Sequence, residues 1–229
     1  MKVILLAAGF GTRLRPITNV IPKCLVPIKG KPLLQIWLEN LTNAGLNSFL
    51  INTHYLHSEV EKFVFNSEFN SFCSLVYEEE LLGTAGTIIN NLDFADNEDL
   101  LVIHADNYCL QDMKTFIDAH NSRPNGCLMT MMTFRTDNPS SCGIVEIDEH
   151  NIVNRFFEKV DNPPSNLANG AVYILTKEFL TEIKGRSDVI DFSTQILPNY
   201  LGRIFSFETK EVFLDIGTPE TYNIANSYL

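Results

Sequence analysis

The chain begins with Lys2-Val3-Ile4-Leu5-Leu6, an apolar run without alternation, and then breaks at once into Ala7-Ala8-Gly9-Phe10-Gly11-Thr12-Arg13-Leu14-Arg15-Pro16. Such a run predicts a strand buried on both faces, which demands cover on both sides of its sheet. The loop after it is built for an anion. Gly9 and Gly11 permit φ > 0 and bring backbone N–H groups against a ligand, and the Thr12 hydroxyl and Arg13 guanidinium come directly after them. This combination suits a polyphosphate. A Walker loop would need Gly-Lys-Ser/Thr at a spacing the chain lacks, and a dinucleotide fingerprint would need glycine where Leu14 stands.

Downstream, helical and strand signals alternate. Leu33, Leu34, Trp37, Leu38, Leu41 and Ala44 predict a helix over 32–46, with Pro32 in its first turn and Gly45 near its end. Short apolar runs predict strands at 49–52, 74–77, 100–103 and 127–134, separated by helices at 59–65, 87–92 and 113–120. That order favours a mostly parallel sheet wrapped on both sides. Beyond it, 143–147 and 152–157 predict a hairpin around Asp148-Glu149-His150-Asn151. Helices are then expected at 176–183 and 192–197 and strands at 203–207 and 211–214. A last helix starts with Thr218 as N-cap and Pro219 at its first position.

With 229 residues the chain suits one large α/β domain, which should bury about 70% or more of its unfolded surface. Its net charge of −11 argues against general binding to nucleic acid or anionic membrane. Lys2, Arg13, Arg15, Lys23, Lys29 and Lys31 gather cations near the N-terminus, where phosphates would sit. The five cysteines show no metal-type spacing and read as reduced, mostly buried thiols. The Met129–Met132 cluster reads as core filler. No signal-peptide architecture and no apolar run near ~18 residues occurs, so a soluble cytoplasmic protein is expected.

Asp106 comes just after the 100–103 run, at the strand end where open α/β sheets place ligands. A carboxylate there can hold a divalent cation that keeps water and phosphate oxygens as its other ligands; an isolated Asp after a strand also serves as a helix cap or turn residue. His104 reads as a satisfied, partly buried histidine. The run Glu78 to Gly86 opens a helix whose N-terminus offers N–H groups, or is an ordinary strand-to-helix turn.

Leu6 to Pro16, with Pro22-Lys23 after it, resembles the signature of the sugar-1-phosphate nucleotidyltransferases (nucleotide-sugar pyrophosphorylases), G-x-G-T-R-L-x-P and then a P-K pair. The resemblance covers the whole chain. It implies the nucleotide-diphospho-sugar transferase fold, a Rossmann-like three-layer α/β/α sandwich with a mixed, mainly parallel central sheet. This would be a single domain with a nucleotide half at about 1–125 and a sugar half at about 126–229. The implied reaction joins an NTP and a sugar 1-phosphate to give an NDP-sugar and pyrophosphate.

The resemblance also implies residue roles. Leu6, Ala7, Ala8, Gly9, Gly11, Thr12, Arg13, Lys23, Glu80, Gly83 and Thr84 would contact the nucleotide, with Arg13 on the leaving phosphates, Lys23 at the α-phosphate and the Gly83-Thr84 run beside the base. Asp106 and Asp215, the latter from a D-x-G-T-P run, would hold Mg²⁺, and Arg13, Lys23 and Asp106 form the catalytic set. Gly143, Glu158, Lys159 and Asn169 would form the sugar-phosphate site: ring hydroxyls suit Glu158 and Asn169, and the phosphate suits Lys159. Cys142 and Val160 stand where many members have Tyr and Pro.

The E-x-x-G-T-A run at 80–85 and the N-G-x-x-Y run at 169–173 look like the GTP-using branch. That branch serves mannose 1-phosphate or D-glycero-α-D-manno-heptose 1-phosphate for surface glycans such as lipopolysaccharide or capsule. The alternatives are a uridylyl- or thymidylyltransferase, a phosphocholine cytidylyltransferase of the same fold, and a silent nucleotide-sugar-sensing subunit. Arg13, Lys23, Asp106 and Asp215 are intact, which speaks against the silent form. Family members are often dimers or tetramers, so a homo-oligomer is one expectation.

Overall fold

The computed structural model describes residues 1–186 and 188–228. Its elements in chain order are β1 (Lys2–Leu6), β2 (Pro27–Ile28), β3 (Lys31–Pro32), α1 (Leu33–Asn43), β4 (Phe49–Thr53), α2 (His57–Asn66), β5 (Cys73–Tyr77) and α3 (Gly83–Asn90). Next come β6 (Leu100–His104), β7 (Asn107–Cys109), α4 (Met113–Asn121), β8 (Met129–Arg135), β9 (Gly143–Ile147), β10 (Val153–Glu158) and β11 (Leu167–Leu175). The remaining elements are α5 (Lys177–Ile183), α6 (Phe192–Gln195), β12 (Ile204–Glu208), β13 (Phe213–Asp215) and α7 (Pro219–Ser227). The strands make a mixed, mainly parallel central sheet with helices against it.

Two compact units divide these elements. The loop-bearing unit comprises Lys2–Leu81, Ile103–Lys114 and Glu211–Leu229; the hairpin-bearing unit comprises Met1, Leu82–Val102 and Thr115–Lys210. In the loop-bearing unit β1 lies beside β4, and β4 beside β5. β1 and β4 run parallel with Val3 opposite Phe49 and Leu6 opposite Asn52, and β4 and β5 run parallel with Phe49 opposite Cys73. Val3, Ile4, Leu5, Phe49 and Ile51 are completely buried, as continuous apolar runs require. Each such side chain is worth about 1.5–3 kcal/mol in removed apolar surface. Trp37 of α1 is buried and donates its indole N–H to the Asn107 carbonyl at 2.8 Å.

A second cluster in the same unit anchors the chain beyond β1. Leu14, Val26, Ile28, Leu33, Tyr108, Ile216 and Ala225 pack together, so the chain leaving the glycine-rich loop is pinned by a side chain with no exposed surface. β13 pairs antiparallel with β7, setting Asp215 opposite Asn107. This brings a late segment of the chain beside the residue next to Asp106.

In the hairpin-bearing unit β8 runs antiparallel to β11 and parallel to β12, and β9 and β10 form the expected hairpin, with β9 also paired to β11. Met129, Met131 and Met132 are fully buried core residues. All five cysteines are free thiols, and burial pushes those of Cys24 and Cys109 up to about 12. No helix among the described residues is long and apolar enough to cross a membrane.

Three expectations need correction. The helix expected over 87–92 begins at Gly83, because tertiary contacts recruit a glycine- and threonine-containing run of weak helix propensity. Pro32 caps α1 from outside instead of occupying its first turn. The strand expected at 211–214 spans Phe213–Asp215, so it starts two residues later and Asp215 is its last residue. β7 and the β2–β3 ladder were not signalled by periodicity, since two or three residues carry none.

Candidate active site

The glycine-rich loop leaves β1 with most of its donors unused. The Ala7 N–H is taken by Asn52 Oδ1 at 2.7 Å. Among the described residues, the N–H groups of Ala8, Gly9, Phe10 and Gly11 meet no protein acceptor. Four consecutive free amides with Gly9 and Phe10 exposed form a nest for an anion. Gly11 is required by geometry: its φ is +62°, and a Cβ there would lie 2.9 Å from Thr18 Cγ2 and 3.2 Å from Lys23 Cβ. Thr18 in turn donates its hydroxyl to the Gly11 carbonyl at 2.7 Å.

Beside the loop, four charged residues far apart in sequence meet. Lys23, carried on a one-turn 3₁₀ segment, is 8% exposed, and its Nζ lies 2.5 Å from Asp106 Oδ2 and 3.2 Å from Asp215 Oδ1. Arg13 Nη2 lies 3.7 Å from Asp215 Oδ2, with most of its side chain in solvent. Burial alone would lower the Lys23 pKa, but Asp106 and Asp215 outweigh it and hold the ammonium above its ordinary range. Burial likewise opposes ionisation of Asp106, and the Lys23 charge, aided by His104, keeps it below the usual carboxylate range. The Ile216 N–H bonds the Asp106 carbonyl at 3.3 Å, tying the two carboxylate-bearing segments through their backbones. Gly217 leaves room for the arginine, since a Cβ there would stand 3.0 Å from both Arg13 Nη2 and Asp215 Oδ2.

Two carboxylates thus converge on one cationic point, which the Lys23 ammonium marks. Among the described residues no group of three or more His, Cys, Asp or Glu side chains gathers around a common point. Two carboxylates do not make a closed protein cage, and a hard divalent cation held by Asp106 and Asp215 would have to take its remaining oxygen ligands from water and phosphate.

The acidic run before α3 is arranged differently from its motif reading. Glu80 is exposed, whereas Glu78 is buried and accepts from Asn52 Nδ2 at 2.9 Å. At Gly83 φ is +75°, and a Cβ would lie 2.4 Å from Ile190 Cγ2. Thr84 Oγ1 accepts from the Phe192 N–H at 2.8 Å, and the Ala85 N–H donates to the Ile190 carbonyl at 2.9 Å. The N–H groups expected to be free at this helix start are thus partly engaged by the 190–192 segment.

In the hairpin-bearing unit, Glu158 pairs with Gly143 across the β9–β10 ladder. A Cβ at 143 would lie 2.7 Å from Glu158 Oε2, so glycine makes space for that carboxylate. Lys159 has φ +49° and an Nζ 3.2 Å from Glu158 Oε1. Asn169 sits where β11 slips register; its Oδ1 accepts from the Ala171 N–H at 2.9 Å and its Nδ2 donates to the Tyr173 hydroxyl at 2.6 Å. One amide hydrogen of Asn169 is left for a ligand. Ala168 pairs with Ile144, which places Asn169 alongside Gly143. Sequence reasoning missed Asn52 and named Glu78 and Tyr173 only as members of their runs, with no partner for either. A signal existed for Asn52, an amide inside the otherwise apolar or hydroxyl-bearing run Phe49–Thr53, because a buried amide implies a partner.

The model of the nucleotidyl transferase family matches residues 2–229. The chain belongs to that family. The chain is 30% identical over 233 residues to the mannose-1-phosphate guanylyltransferase of Mycobacterium tuberculosis, covering 97% of this chain and 62% of that protein. It is also 30% identical to the mannose-1-phosphate guanyltransferase of Schizosaccharomyces pombe, with 97% and 62% covered. The chain spans 61% to 63% of the length of such curated relatives. Among solved structures it resembles HddC from Yersinia pseudotuberculosis complexed with GMP-PN, at 31% identity and a TM-score of 0.81, covering 98% and 97% of the two chains.

Proposed function

We propose that this nucleotidyl transferase moves a guanylyl group from GTP to a sugar 1-phosphate, either mannose 1-phosphate or D-glycero-α-D-manno-heptose 1-phosphate, giving a GDP-sugar and pyrophosphate. The observation that carries it is the buried Lys23 ammonium between Asp106 and Asp215, with Arg13 and a row of free amides at its side. The choice of base and sugar draws support from relatives named as mannose-1-phosphate guanylyltransferases and from a structural neighbour complexed with GMP-PN. The product would feed surface-glycan assembly, with the enzyme in the cytoplasm.

The reaction brings together two anions. An oxygen of the sugar phosphate attacks the α-phosphorus in line with the departing pyrophosphate, so the barrier is repulsion plus developing charge, and no covalent enzyme intermediate is needed. Ala8 to Gly11 offer amides to the β- and γ-phosphates, Arg13 neutralises charge on the leaving group, and Lys23 does so at the α-phosphate. Lys159 aligns the sugar phosphate, while Glu158 and the free hydrogen of Asn169 meet ring hydroxyls. Asp106 and Asp215 would hold Mg²⁺, which supplies further positive charge to phosphate oxygens when bound. Glu80, exposed and acidic, suits the N–H edge of guanine.

Pyrophosphate release with Mg²⁺, over GTP, UTP, dTTP, CTP and ATP against mannose, heptose, glucose and N-acetylhexosamine 1-phosphates, tests the reading. A dominant signal for GTP with a manno-configured sugar is expected. Dominant UTP or dTTP use would replace the base assignment, and a blank grid with nucleotide-sugar binding by thermal shift would favour the silent sensor.

A further inference from the structure

Glu78 is a buried acid, 4% exposed, to which neither the resemblance nor the proposed reaction assigns a task. Its position links two anchors of the glycine-rich loop. Through its side chain, Glu78 Oε1 accepts from Asn52 Nδ2 at 2.9 Å, and Asn52 Oδ1 accepts from the Ala7 N–H at 2.7 Å. Through its backbone, the Glu78 carbonyl lies 2.8 Å from His54 Nδ1, and the His54 ring packs edge-on against Phe10 with centroids 5.2 Å apart. Tyr55 supports the same phenylalanine at 5.8 Å. The free amides of Ala8 to Gly11 lie between or next to these fixed points.

We propose that Glu78 and Asn52 are positioning residues that hold the glycine-rich loop in its phosphate-receiving shape. A buried amide has two orientations, and only one puts its oxygen toward the Ala7 N–H. The Glu78 carboxylate selects that one, because the flipped amide would aim its oxygen at the carboxylate and its NH₂ at an N–H. A bond to a charged acceptor is also stronger than a neutral one, so the selection is firm. With Ala7 fixed at one side and Phe10 braced at the other, the intervening donors are preorganised and binding a polyphosphate need not order them.

The proposal rests on the nucleotide reading of the loop, and its test separates the two. GTP and UTP binding is measured by calorimetry with Mg²⁺ present, the KM of each substrate from pyrophosphate release, and amide exchange by mass spectrometry on peptides spanning 5–14. Asn52→Asp sets two carboxylates face to face, and should weaken nucleotide binding and speed loop exchange by about tenfold, the equivalent of one lost buried hydrogen bond. The KM for sugar 1-phosphate should stay within about twofold, since no contact to that site is lost. Combining Asn52→Asp with Glu78→Gln restores an amide-to-carboxylate bond with roles exchanged, and should recover nucleotide affinity and slow exchange.

A double variant as impaired as Asn52→Asp alone overturns the positioning role, as does an equal rise in both KM values or an Asn52→Asp protein indistinguishable from the parent. Failure of the unmodified protein to bind either nucleotide overturns the nucleotide reading itself, and the positioning role with it.

Discussion

At Lys23 a nearly buried ammonium serves two carboxylates at once, so removing it has two effects that can be measured apart. Lys23→Met should lower kcat by on the order of a hundredfold, the usual cost of losing one preorganised charge at a reacting phosphate. It should also leave Asp106 and Asp215 facing each other unneutralised. Because their side chains are 33% and 53% exposed, solvent screens that repulsion and the melting temperature should fall only slightly. Arg13 offers a cleaner contrast. With 69% of its side chain exposed, Arg13→Ala should leave stability within about 0.5 kcal/mol of the parent while depressing turnover by about a hundredfold or more. Unchanged turnover would remove Arg13 from the reaction. The loop glycines, Arg13 and Asp106 were readable from residue type and position, whereas Lys23 and Asp215 were legible through the family resemblance of the Pro22-Lys23 pair and the D-x-G-T-P run. Asn52 and Glu78 were not, because their importance lies in facing each other across neighbouring strands, and no local pattern encodes that.

Among elements, the long parallel strands were the most legible. β1, β4 and β6 fall within a residue or two of their expected positions because burial on both faces writes a continuous apolar run. α3 was misplaced by four residues, from 87 to Gly83, because its first turn is decided by Ile190 and Phe192 instead of its own propensities. Gly83→Ala tests that cause. The new methyl meets Ile190 in a backbone region unfavourable to L residues, so a loss of roughly 1–3 kcal/mol in chemical denaturation is expected. An unchanged midpoint would mean that Ile190 yields freely. Far along the chain, Thr218 closes a capping box with Thr221 and the α7 N-terminus. Thr218→Ala should cost about 1 kcal/mol, and because α7 comes directly after Asp215 and Gly217, it should also raise the KM for Mg²⁺.

For the whole molecule, the pH response of stability has an identifiable source in the hairpin-bearing unit. His120 has no exposed surface, accepts or donates at 2.8 Å to Thr130 Oγ1, and faces Asp99 Oδ2 at 3.2 Å, while Asp99 Oδ1 accepts from the Lys177 N–H. Burial lowers the His120 pKa below 6.5 despite Asp99, and the His120 bond lowers that of Asp99 below 3.8. Both folded-state values are depressed, so both contributions are full above the unfolded pKa and fade as pH falls: His120 from 6.5 downward, Asp99 below 3.8. Urea unfolding at pH 7.5 and 5.5 should show a loss in the parent that His120→Gln lacks; parallel slopes for the two proteins would refute the assignment. The alternation of strands and helices disclosed the class of fold, and the D-x-G-T-P run, through the family resemblance, the return of a late segment to Asp106, but not the ladder that makes that return. That return depends on a three-residue ladder between β7 and β13, too short to leave a periodic trace.

The interleaving of the loop-bearing unit sets a birth order for the site. A ribosome delivers Arg13 and Lys23 first, Asp106 much later, and Asp215 last of the four. Until Glu211–Leu229 emerges, Leu14 and Tyr108 lack Ile216 and Ala225 as cover, and β7 lacks its only ladder partner among the described strands. A nascent chain halted before that point offers apolar surface and an open strand edge to chaperones and proteases, and has no paired carboxylates to offer a cation. Pairing of the two carboxylates and closure of this core therefore coincide, both waiting on the same late segment.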